Sequence, residues 1–438
     1  MSHRQPAEAI VRNLRAHGYS AYFVGGCVRD LLLGHEPKDF DIATDAVPSQ
    51  VFQIYPQAQQ VGAHFGVVLV EGVEVATYRS DYAYEDGRRP GEVRYETNPM
   101  LDAARRDFTL NALFLDPETG EVLDFVDGRA DLRNGVVRAI GDPAARFQED
   151  YLRMLRAIRF AARLGFAIEP GTAGAIRTLS HLSTAIAAER VRDEIVRILT
   201  EGGARRGCEL LDELGLLEHL LPEVARMKGV EQPPEYHPEG DVWTHTLIML
   251  EGLQQPTSTL ALGVLLHDVG KPPTFRVADR IRFDGHVEAG VEIAHAILTR
   301  LKFSNEEIRQ VELLVANHMK FKDAPRMKES TLKKFMRLPD FDEHLELHRL
   351  DCSSSHNMFD NYEFVRAKRQ AYGEEQIAPA PLLTGKDLIA AGYSPGPWFS
   401  QVLSAVEDAQ LEGRIANKDE ALQIASSMRQ PASEPAST

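Results

Sequence analysis

The pattern of hydrophobic and polar residues changes character near residue 147. Before that point, short apolar runs lie between Gly, Pro and Asn signals and alternate with helical spacing, which is typical of a mixed α/β region. The pattern predicts helices at 7–17 and 28–33. Strands are predicted at 22–24, 39–43, 67–70, 73–78 and 91–95.

Helical spacing dominates from residue 147 almost to the end of the chain. Gly and Pro punctuate it at Gly165, Pro170, Gly215, Pro222 and Pro256. Segment 229–240, GVEQPPEYHPEG, predicts a linker, and segment 429–438, RQPASEPAST, has the composition of a disordered tail. The fold class expected from this pattern is α+β, with a small mixed sheet followed by helices.

Length and composition place the chain among ordinary globular proteins. Its 438 residues correspond to roughly three domains. The formal charge of -16 excludes a protein that coats nucleic acid through bulk positive charge, but it permits a local basic patch. Three cysteines without a CxxC spacing indicate a reducing compartment. No apolar run approaches the ~18 residues of a membrane span, so we expect a cytoplasmic protein without membrane contact.

A pair of glycines, Gly25 and Gly26, stands between the first predicted strand and the helix that follows. Glycine lets backbone N–H groups approach a ligand closely, and a helix N-terminus favours an anion. Arg29, in the first turn of that helix, adds a cation for phosphate oxygens. Such a turn alone is usually just a tight connection, but here a pair of aspartates follows the helix.

Asp39 and Asp41 fall at alternate positions of a predicted strand, and therefore on one face of it. Two carboxylates on one face suit hard cations, and such a pair can hold two Mg²⁺ ions for a phosphoryl transfer. Glu74, in an alternating strand, is the best candidate for a third carboxylate. The sequence thus predicts a Mg²⁺-dependent catalytic site made of these three acids.

Arginines spaced three apart share one face of a predicted helix that follows residue 149. The members of this face are Arg153, Arg156 and Arg159, with Asp150 and Arg163 near the same arc. Leu155, Ile158 and Ala162 are predicted to form the buried face. One alternative is a solvated face with i,i+3 ion pairs. We favour an anion site, because arginine forks match phosphates and base edges and this face lacks acidic partners. A further basic segment, RRDFTLNA at 105–112, is predicted to open a short helix.

Four segments together resemble the class II tRNA nucleotidyltransferase / bacterial poly(A) polymerase family: VGGCVRD, DFD, RRDFTLNA and EDYLRMLRAIRFAARLGF. The resemblance runs from Tyr22 to about Asp351. It implies an enzyme that adds nucleotides to RNA 3′ ends without a nucleic-acid template. The implied domains are a nucleotidyltransferase head at 1–145, a helical neck at 146–228, an HD domain at 236–356, a helical tail at 357–428 and a disordered end at 429–438.

The resemblance implies roles for the matched residues in nucleotide binding. Gly26 and Arg29, beside Gly25, would touch the triphosphate. Arg106 and Asp107 fall in the motif that reads the ribose and positions the nucleotide.

A second group of matched residues would recognise the base. Asp150 and Arg153 fall where the family pairs amino acids with the base edge of CTP or ATP, and Arg156 and Arg159 extend that face. Aspartate accepts a hydrogen bond from the exocyclic amine that C and A share, whereas U and G carry a carbonyl there.

Segment 80–99 resembles the family's mobile loop between the catalytic strand and the RRD motif. An intact loop goes with addition of the terminal A, so its full length favours complete CCA addition over CC-only addition. Cys27 stands where the family commonly has a small residue, and we expect it to serve packing.

A histidine–aspartate series continues through the predicted helices of the second half. Its members are His245, His267, Asp268, His286, His318 and Asp351. Such ligands suit Mn, Fe, Ni or Zn and, with more water, Mg. The series resembles the HD-superfamily phosphohydrolase pattern, which implies phosphomonoesterase or 2′,3′-cyclic phosphodiesterase chemistry, with Lys271 holding a phosphate. The alternative is a degenerate HD fold kept as a scaffold for RNA. Segment 382–413 resembles the tail of HD-bearing members, with a turn that either meets RNA phosphates or simply connects helices.

These observations predict CCA addition to tRNA 3′ ends from CTP and ATP with Mg²⁺, and a second divalent metal at the HD site. Addition of A alone, or poly(A) synthesis, is the alternative within the same chemistry. Two further alternatives are an HD phosphohydrolase that uses its head to bind RNA, and a non-catalytic RNA-binding protein.

Overall fold

The computed structural model describes residues 4–61, 66–84, 90–355 and 357–428. They form two compact units that alternate along the chain. The first contains residues up to Gly229 together with Leu250–Leu262 and Ala296–Ser304. The second contains Val230–Met249, Gly263–His295 and the chain from Asn305 onward. The predicted linker at 229–240 coincides with the first passage between the units, and the finer domain boundaries stay a prediction.

Strands concentrate in the N-terminal part of the first unit. They are β1 Ala21–Val24, β2 Asp41–Thr44, β3 Gln59–Val61, β4 Val67–Val70, β5 Val73–Thr77, β6 Arg79–Tyr84, β7 Pro90–Tyr95, β8 Leu113–Leu115 and β9 Val122–Asp124. Seven of them form one mixed sheet in the order β3-β4-β5-β2-β1-β8-β9. Within it β2 and β5 run parallel, and the other neighbours are antiparallel. The predicted α+β class with a mixed sheet is confirmed.

Short helices accompany this sheet. They are α1 Arg4–Ala16, α2 Gly26–Leu32, α3 Pro48–Ile54, α4 Pro99–Arg105 and α5 Gly128–Asn134, with a 3-10 helix at Thr109–Asn111. The apolar face of α1, which includes Ile10 and Leu14, is buried. Arg105 was expected to open a helix; it ends α4 instead, and only a 3-10 turn follows.

A two-residue turn joins β4 to β5. Val70 pairs with Val73 across it, and Glu71 and Gly72 have φ values of 50° and 85°. Positive φ at both central residues is the signature of a type I′ turn, which fixes the register of a hairpin. The parallel pairing that follows sets Glu74 directly beside Asp41.

The predicted loop at 80–99 is largely a hairpin in the structure. β6 and β7 pair antiparallel from Arg79 opposite Tyr95 to Tyr84 opposite Pro90, and residues 85–89 lie outside the described residues. Strands β3, β8 and β9 were not predicted. Each has only three residues, too few for period-2 alternation to stand out.

Helices make up most of the rest of the first unit. They are α6 Pro143–Glu149, α7 Leu152–Leu164, α8 Pro170–Leu179, α9 Ala188–Thr200, α10 Ala204–Glu213, α11 Leu216–Leu220 and α12 Pro222–Ala225, with a 3-10 helix at Ser180–Ala185 and a small parallel pair, β10 Val136–Val137 and β11 Ala167–Ile168. Gly165 ends α7 with a φ of 67°, and Pro170 opens α8, as predicted from the punctuation.

The remaining elements are mainly helical as well. They are α13 Val242–Glu251, α14 Ser258–Leu266, α15 Lys271–Thr274, β12 Arg276–Val277, β13 Ile281–Arg282, α16 His286–Arg300, α17 Asn305–Asn317, a 3-10 helix at His318–Arg326, α18 Glu329–Met336, α19 Phe341–Ser354, α20 Asp360–Ile377, α21 Gly385–Ala390, α22 Pro397–Leu411 and α23 Lys418–Ser427. Pro397 opens α22 after the predicted turn. Within the described ranges, we find no helix that combines the length and the hydropathy needed to cross a membrane. The predicted disordered tail, 429–438, lies outside the described residues.

Candidate active site and metal centre

The first candidate site lies where β1 ends at Val24 and α2 begins at Gly26. Gly25 joins them with a φ of 80° and a ψ of -132°, a conformation that side-chain-bearing residues rarely adopt. A Cβ on Gly25 would stand 3.4 Å from the Arg106 guanidinium. Glycine therefore keeps this turn open beside an arginine, as an anion-binding turn requires.

The predicted carboxylates gather next to this turn. Asp41 opens β2, paired with Val24 on one side and with Glu74 on the other. Parallel partners in register point to the same face of a sheet, so Asp41 and Glu74 lie side by side. The predicted strand at 39–43 is wrong at its start, because β2 begins only at Asp41 and Asp39 lies in the irregular segment before it. The two aspartates therefore do not share a strand face through simple alternation.

Asp39 nevertheless lies close to Asp41. Phe40 between them is 2% exposed and packs on Phe23, which anchors the segment that leads into β2. Burial, together with the nearby charges of Glu74 and Asp39, raises the pKa of Asp41 to about 6 against the opposing effect of Arg106. Three acids with this little compensation are suited to divalent cations with oxygen ligands.

Arg29 lies in the core of this site. Its side chain is buried, Nη1 donates to Asn111 Oδ1 at 2.9 Å and Nη2 lies 2.7 Å from the Asp30 carboxylate. Burial lowers the pKa of Arg29 against the effect of Asp30. Asn111 was not predicted, although it belongs to the RRDFTLNA segment. Cys27 is buried with a pKa raised to about 11 by desolvation, which matches a packing role.

The RRD segment is organised by an acid that sequence reasoning missed. Asp102 is 1% exposed; one carboxylate oxygen binds Arg105 and the other accepts from Arg106 Nε and Nη2 at 3.1 and 2.9 Å. Asp107 accepts from Arg156 Nε and Nη2 at 2.8 and 2.6 Å. Burial alone would raise the pKa of Asp107, but Arg156 lowers it to about 2.

The arginine face of α7 is paired with acids, so the expectation that it lacks acidic partners is wrong. Arg153 lies 2.6 Å from Glu149, Arg156 2.6 Å from Asp107 and Arg159 2.7 Å from Glu194. Asp107 and Glu194 come from segments distant in sequence, which a local pattern does not reveal. The apolar face is buried as predicted.

Asp150, at the end of α6, is held by an unpredicted residue. Arg190 Nη1 and Nη2 donate to its two oxygens at 3.1 and 2.8 Å. The Leu152 N–H also donates to Asp150 Oδ1. A bidentate guanidinium fixes the plane of a carboxylate, so Arg190 orients Asp150.

The second candidate site lies in the second unit and contains the predicted histidine–aspartate series. The imidazole Nε2 atoms of His245, His267, His286 and His318 are shielded from solvent and make no hydrogen bond. Each of these atoms nevertheless lies 3.1 to 3.9 Å from an oxygen of Asp268 or Asp351. Nitrogens and oxygens that approach without hydrogen-bond geometry fit a centre where both would face a cation.

The other ring nitrogen is hydrogen-bonded in every case. Nδ1 lies 2.9 Å from Val264 O in His267, 2.9 Å from Phe283 O in His286 and 2.7 Å from Val315 O in His318. A carbonyl only accepts, so Nδ1 carries the proton and Nε2 keeps its lone pair. In His245, Nδ1 lies 2.7 Å from Glu239 Oε1.

The predicted ligands fall into two compact groups: His245, His267 and Asp351 form one, and Asp268, His286 and His318 form the other. A third group, His237, Glu239 and His245, shares His245 with the first. In each group the ligand atoms lie within 4.8 Å of one another. Lys271 Nζ is 2.6 Å from Asp268, which therefore faces both a cation and several histidines.

Burial and neighbouring charges shift the pKa values of these ligands. Burial lowers the pKa of His318 to about 4, so its ring stays neutral near pH 7. Burial alone would raise the pKa of Asp268, but His267 and Lys271 hold it well below its usual range. Burial lowers the pKa of His245, yet Asp351 and Glu239 outweigh it and raise the pKa to about 9, so an ion that binds this ring near pH 7 must displace a proton.

A mixed sheet with clustered acids beside a glycine turn defines a nucleotidyltransferase head. Residues 21–138 match the family model of the Poly A polymerase head domain. Residues 165–228 match the probable RNA and SrmB-binding site of polymerase A, and 286–425 match the putative domain 2 of tRNA nucleotidyltransferase.

Curated relatives match the chain nearly end to end. A CCA-adding enzyme of Bacillus mycoides is 30% identical over 430 residues, 96% of this chain and 97% of the relative. A CCA-adding enzyme of Enterococcus faecalis is 33% identical over 429 residues, which cover 95% of this chain and 94% of the relative. The crystal structure of the Bacillus stearothermophilus CCA-adding enzyme in complex with CTP is 27% identical, with a TM-score of 0.75 and 97% of each chain covered. The chain belongs to the tRNA nucleotidyltransferase / poly(A) polymerase family, as its sequence predicts, and is a nucleotidyltransferase.

Proposed function

We propose that this chain adds CCA to tRNA 3′ ends from CTP and ATP. The observation that carries the proposal is the group of acids Asp39, Asp41 and Glu74 beside the glycine turn. Relatives named as CCA-adding enzymes support it, as does a solved relative described in complex with CTP. Because the added sequence ends in adenosine, ATP is the second substrate. The cytoplasmic location stays a prediction.

The acids fit Mg²⁺, because they offer clustered oxygen donors, and burial together with repulsion from Glu74 and Asp39 raises the pKa of Asp41. Asp39 and Asp41 would hold the ions, with Glu74 in support. When bound, Mg²⁺ lowers the pKa of the RNA 3′-hydroxyl and stabilises pyrophosphate as it leaves. The new bond joins the RNA 3′ oxygen to the α-phosphorus, the bond from that phosphorus to the bridging oxygen breaks, and the hydroxyl proton leaves to solvent.

Residues around the acids position the nucleotide. Arg29, tied to Asn111, and Arg106, tied to Asp102, place two cations near the glycine turn for the triphosphate and ribose. Asp107 fixes Arg156 at the start of the arginine face. We assign these residues to binding and orientation.

Base selection falls to Asp150 and Arg153. Asp150 accepts from the exocyclic amine shared by C and A, and Arg190 keeps its carboxylate in one plane. A base with a carbonyl at that position would set one acceptor against another, and neither oxygen could donate a hydrogen bond.

The test is incorporation of each labelled nucleotide into tRNAs that end before CCA, after C and after CC. CCA addition predicts CTP incorporation on the first two and ATP incorporation on the third. A-only addition predicts that CTP is never incorporated, and poly(A) synthesis predicts repeated A addition to unrelated RNA. The full-length 80–99 segment supports the complete reaction.

We propose a metal-dependent phosphohydrolase as a second activity, at the histidine–aspartate series. The observation that favours it is the set of four buried Nε2 atoms without a hydrogen bond. These atoms fit a transition metal, with Asp268 and Asp351 supplying charge. When bound, the metal polarises a phosphoryl oxygen and activates water. We assign Lys271, 2.6 Å from Asp268, to holding a phosphate.

Paired substitutions separate the two activities. Asp39→Ala with Asp41→Ala should abolish CTP incorporation and spare hydrolysis of 2′,3′-cyclic AMP in the presence of Mn²⁺ or Ni²⁺. His267→Ala with Asp268→Ala should do the reverse. A wild-type chain that binds no metal at these residues would indicate the RNA scaffold, and incorporation that survives the first pair would favour an HD hydrolase with an RNA-binding head.

A further inference from the structure

We propose that Glu239, in the segment before α13, is a positioning residue of the histidine centre. The inference rests on the proposed metal-dependent hydrolase. Glu239 lies outside the H…HD…H…H…D series, in a segment whose sequence predicts a linker only. Its side chain is 7% exposed and its Oε1 lies 2.7 Å from His245 Nδ1.

His245 differs from the other three histidines in what binds its Nδ1. The others use the carbonyl of the residue three positions earlier: Val264, Phe283 and Val315. Val264 and Val315 lie in the last turns of α14 and α17, where carbonyls have no partner within the helix. Phe283 precedes α16, so its carbonyl is outside the helix as well.

The equivalent carbonyl is not available to His245. His245 lies in the first turns of α13, and the carbonyl three positions earlier, that of Val242, accepts from Thr246 Oγ1 at 2.9 Å. Carbonyls at the start of a helix are also the acceptors of its backbone ladder. An external acceptor is therefore needed to hold this ring. Glu239 Oε1 lies 2.7 Å from Nδ1, and the Ser354 hydroxyl lies farther away at 3.3 Å, so Glu239 is the main partner.

A carboxylate differs from a carbonyl in its charge. A histidine that donates to a carboxylate is a more basic ligand through its other nitrogen and is held in one orientation. Glu239 Oε1 also lies 2.9 Å from His237 Nδ1, so one oxygen organises two rings. Among the four histidines, His245 therefore receives the charged partner.

The segment that carries Glu239 is fixed at several points. The Val242 N–H donates to Val230 O at 3.0 Å, and Lys271 Nζ donates to the buried Gln232 Oε1 at 2.6 Å. Lys271 also binds Asp268. The segment therefore reaches the metal centre at two points, through Glu239 to His245 and through Gln232 to Lys271. Residues 230–240 thus belong to the site and do more than join two units.

The experiment measures Mn²⁺ and Ni²⁺ affinity of the full-length protein by equilibrium dialysis. Glu239→Ala should weaken binding by about 10- to 100-fold, the usual effect of losing such a partner. Glu239→Gln keeps an acceptor oxygen without the charge, so its metal affinity should lie between those of the wild type and Glu239→Ala. Glu235→Ala is the matched control, because Glu235 is an exposed glutamate of the same segment.

A second readout separates positioning from folding. The metal concentration that half-saturates hydrolysis should rise by the same factor in Glu239→Ala, with the maximal rate recovered at high metal, while CTP incorporation stays at the wild-type level. Unchanged affinity in both Glu239 variants, beside a wild-type protein that binds metal, would overturn the inference and leave the hydrolase standing. A wild-type protein that binds neither ion would overturn both. Lost affinity that high metal does not rescue would assign Glu239 a structural role and also overturn the inference.

Discussion

The head acids and the histidine centre both gather carboxylates, but the protein compensates them in opposite ways. The neighbours of Asp41 include two further acids, and the pKa of Asp41 rises to about 6. The neighbours of Asp268 are histidines and a lysine, and the pKa of Asp268 falls well below its usual range. The acids of the head therefore repel one another, whereas Asp268 in the histidine centre is attracted by its neighbours.

This difference indicates how each site would use its ion. Acids that repel one another gain most from cations, so we expect divalent ions to stabilise the head acids. The carboxylate of Asp268 is already compensated by histidines and Lys271, so we expect the histidine centre to keep its shape without an ion.

The largest effect is expected at the head. Asp41→Asn should reduce CTP incorporation by about 10³-fold or more, because metal stabilisation is worth several kcal/mol. The same change should raise the melting temperature of the metal-free protein above pH 6, since the folded-state pKa exceeds that of the unfolded chain and ionised Asp41 opposes folding. Below pH 6 the gain should shrink. Metal binding by the histidine centre is the control and should not change.

Asp268→Ala should destabilise the second unit by about 3–5 kcal/mol, because Lys271 is left buried without its charged partner. Urea unfolding measures the loss. Adding Lys271→Met should recover a large part of it. Equal stabilities of the single and double variants would show that the stability of the second unit does not depend on the pairing of Asp268 with Lys271.

Asp150→Ala should relax base selection about 10- to 100-fold, as expected for one lost base contact. Competition between CTP and UTP on tRNA ending before CCA measures it, with total turnover falling less than selectivity. Arg190→Met should have a smaller effect in the same direction. Nucleotide preference that survives Asp150→Ala would remove Asp150 from this role.

The last expected effect concerns the stability of the fold and lies at Asp107. Its pKa of about 2 lies below the value in an unfolded chain, so its ion pair with Arg156 stabilises the fold above about pH 4. Asp107→Asn should cost about 1.5–3 kcal/mol at pH 7. The gap to wild type should narrow as the pH falls from 4 towards 2. A gap that stays constant over this range in denaturant unfolding would contradict the pairing.

Sequence reasoning succeeded where the signal is local. The helix and strand pattern, the glycine turn and the acid series needed only spacing and residue type, and Gly165 and Pro170 ended and opened helices as predicted. The family resemblance was confirmed by the matching relatives. The roles of the individual site residues stay predictions.

Sequence reasoning failed where a charged residue acts by binding another one. Arg190 binds Asp150 from 40 residues away, and Glu194 on α9 pairs with Arg159. Asp102 is a local partner, because it binds Arg105 and Arg106 at helical spacings that could have indicated the pairs. The start of β2 was wrong because residues 39–40 continue the alternating pattern of a strand, although the strand begins at Asp41.

The turn between β4 and β5 sets the geometry of chemistry that takes place elsewhere. Because strand residues alternate between faces, one residue inserted at Glu71-Gly72 would shift the partner strand by one position and send Glu74 to the opposite side of the sheet. The proposed role of Glu74 therefore constrains the length of this hairpin. Variants that lengthen it would keep the acid in the sequence and lose it from the site.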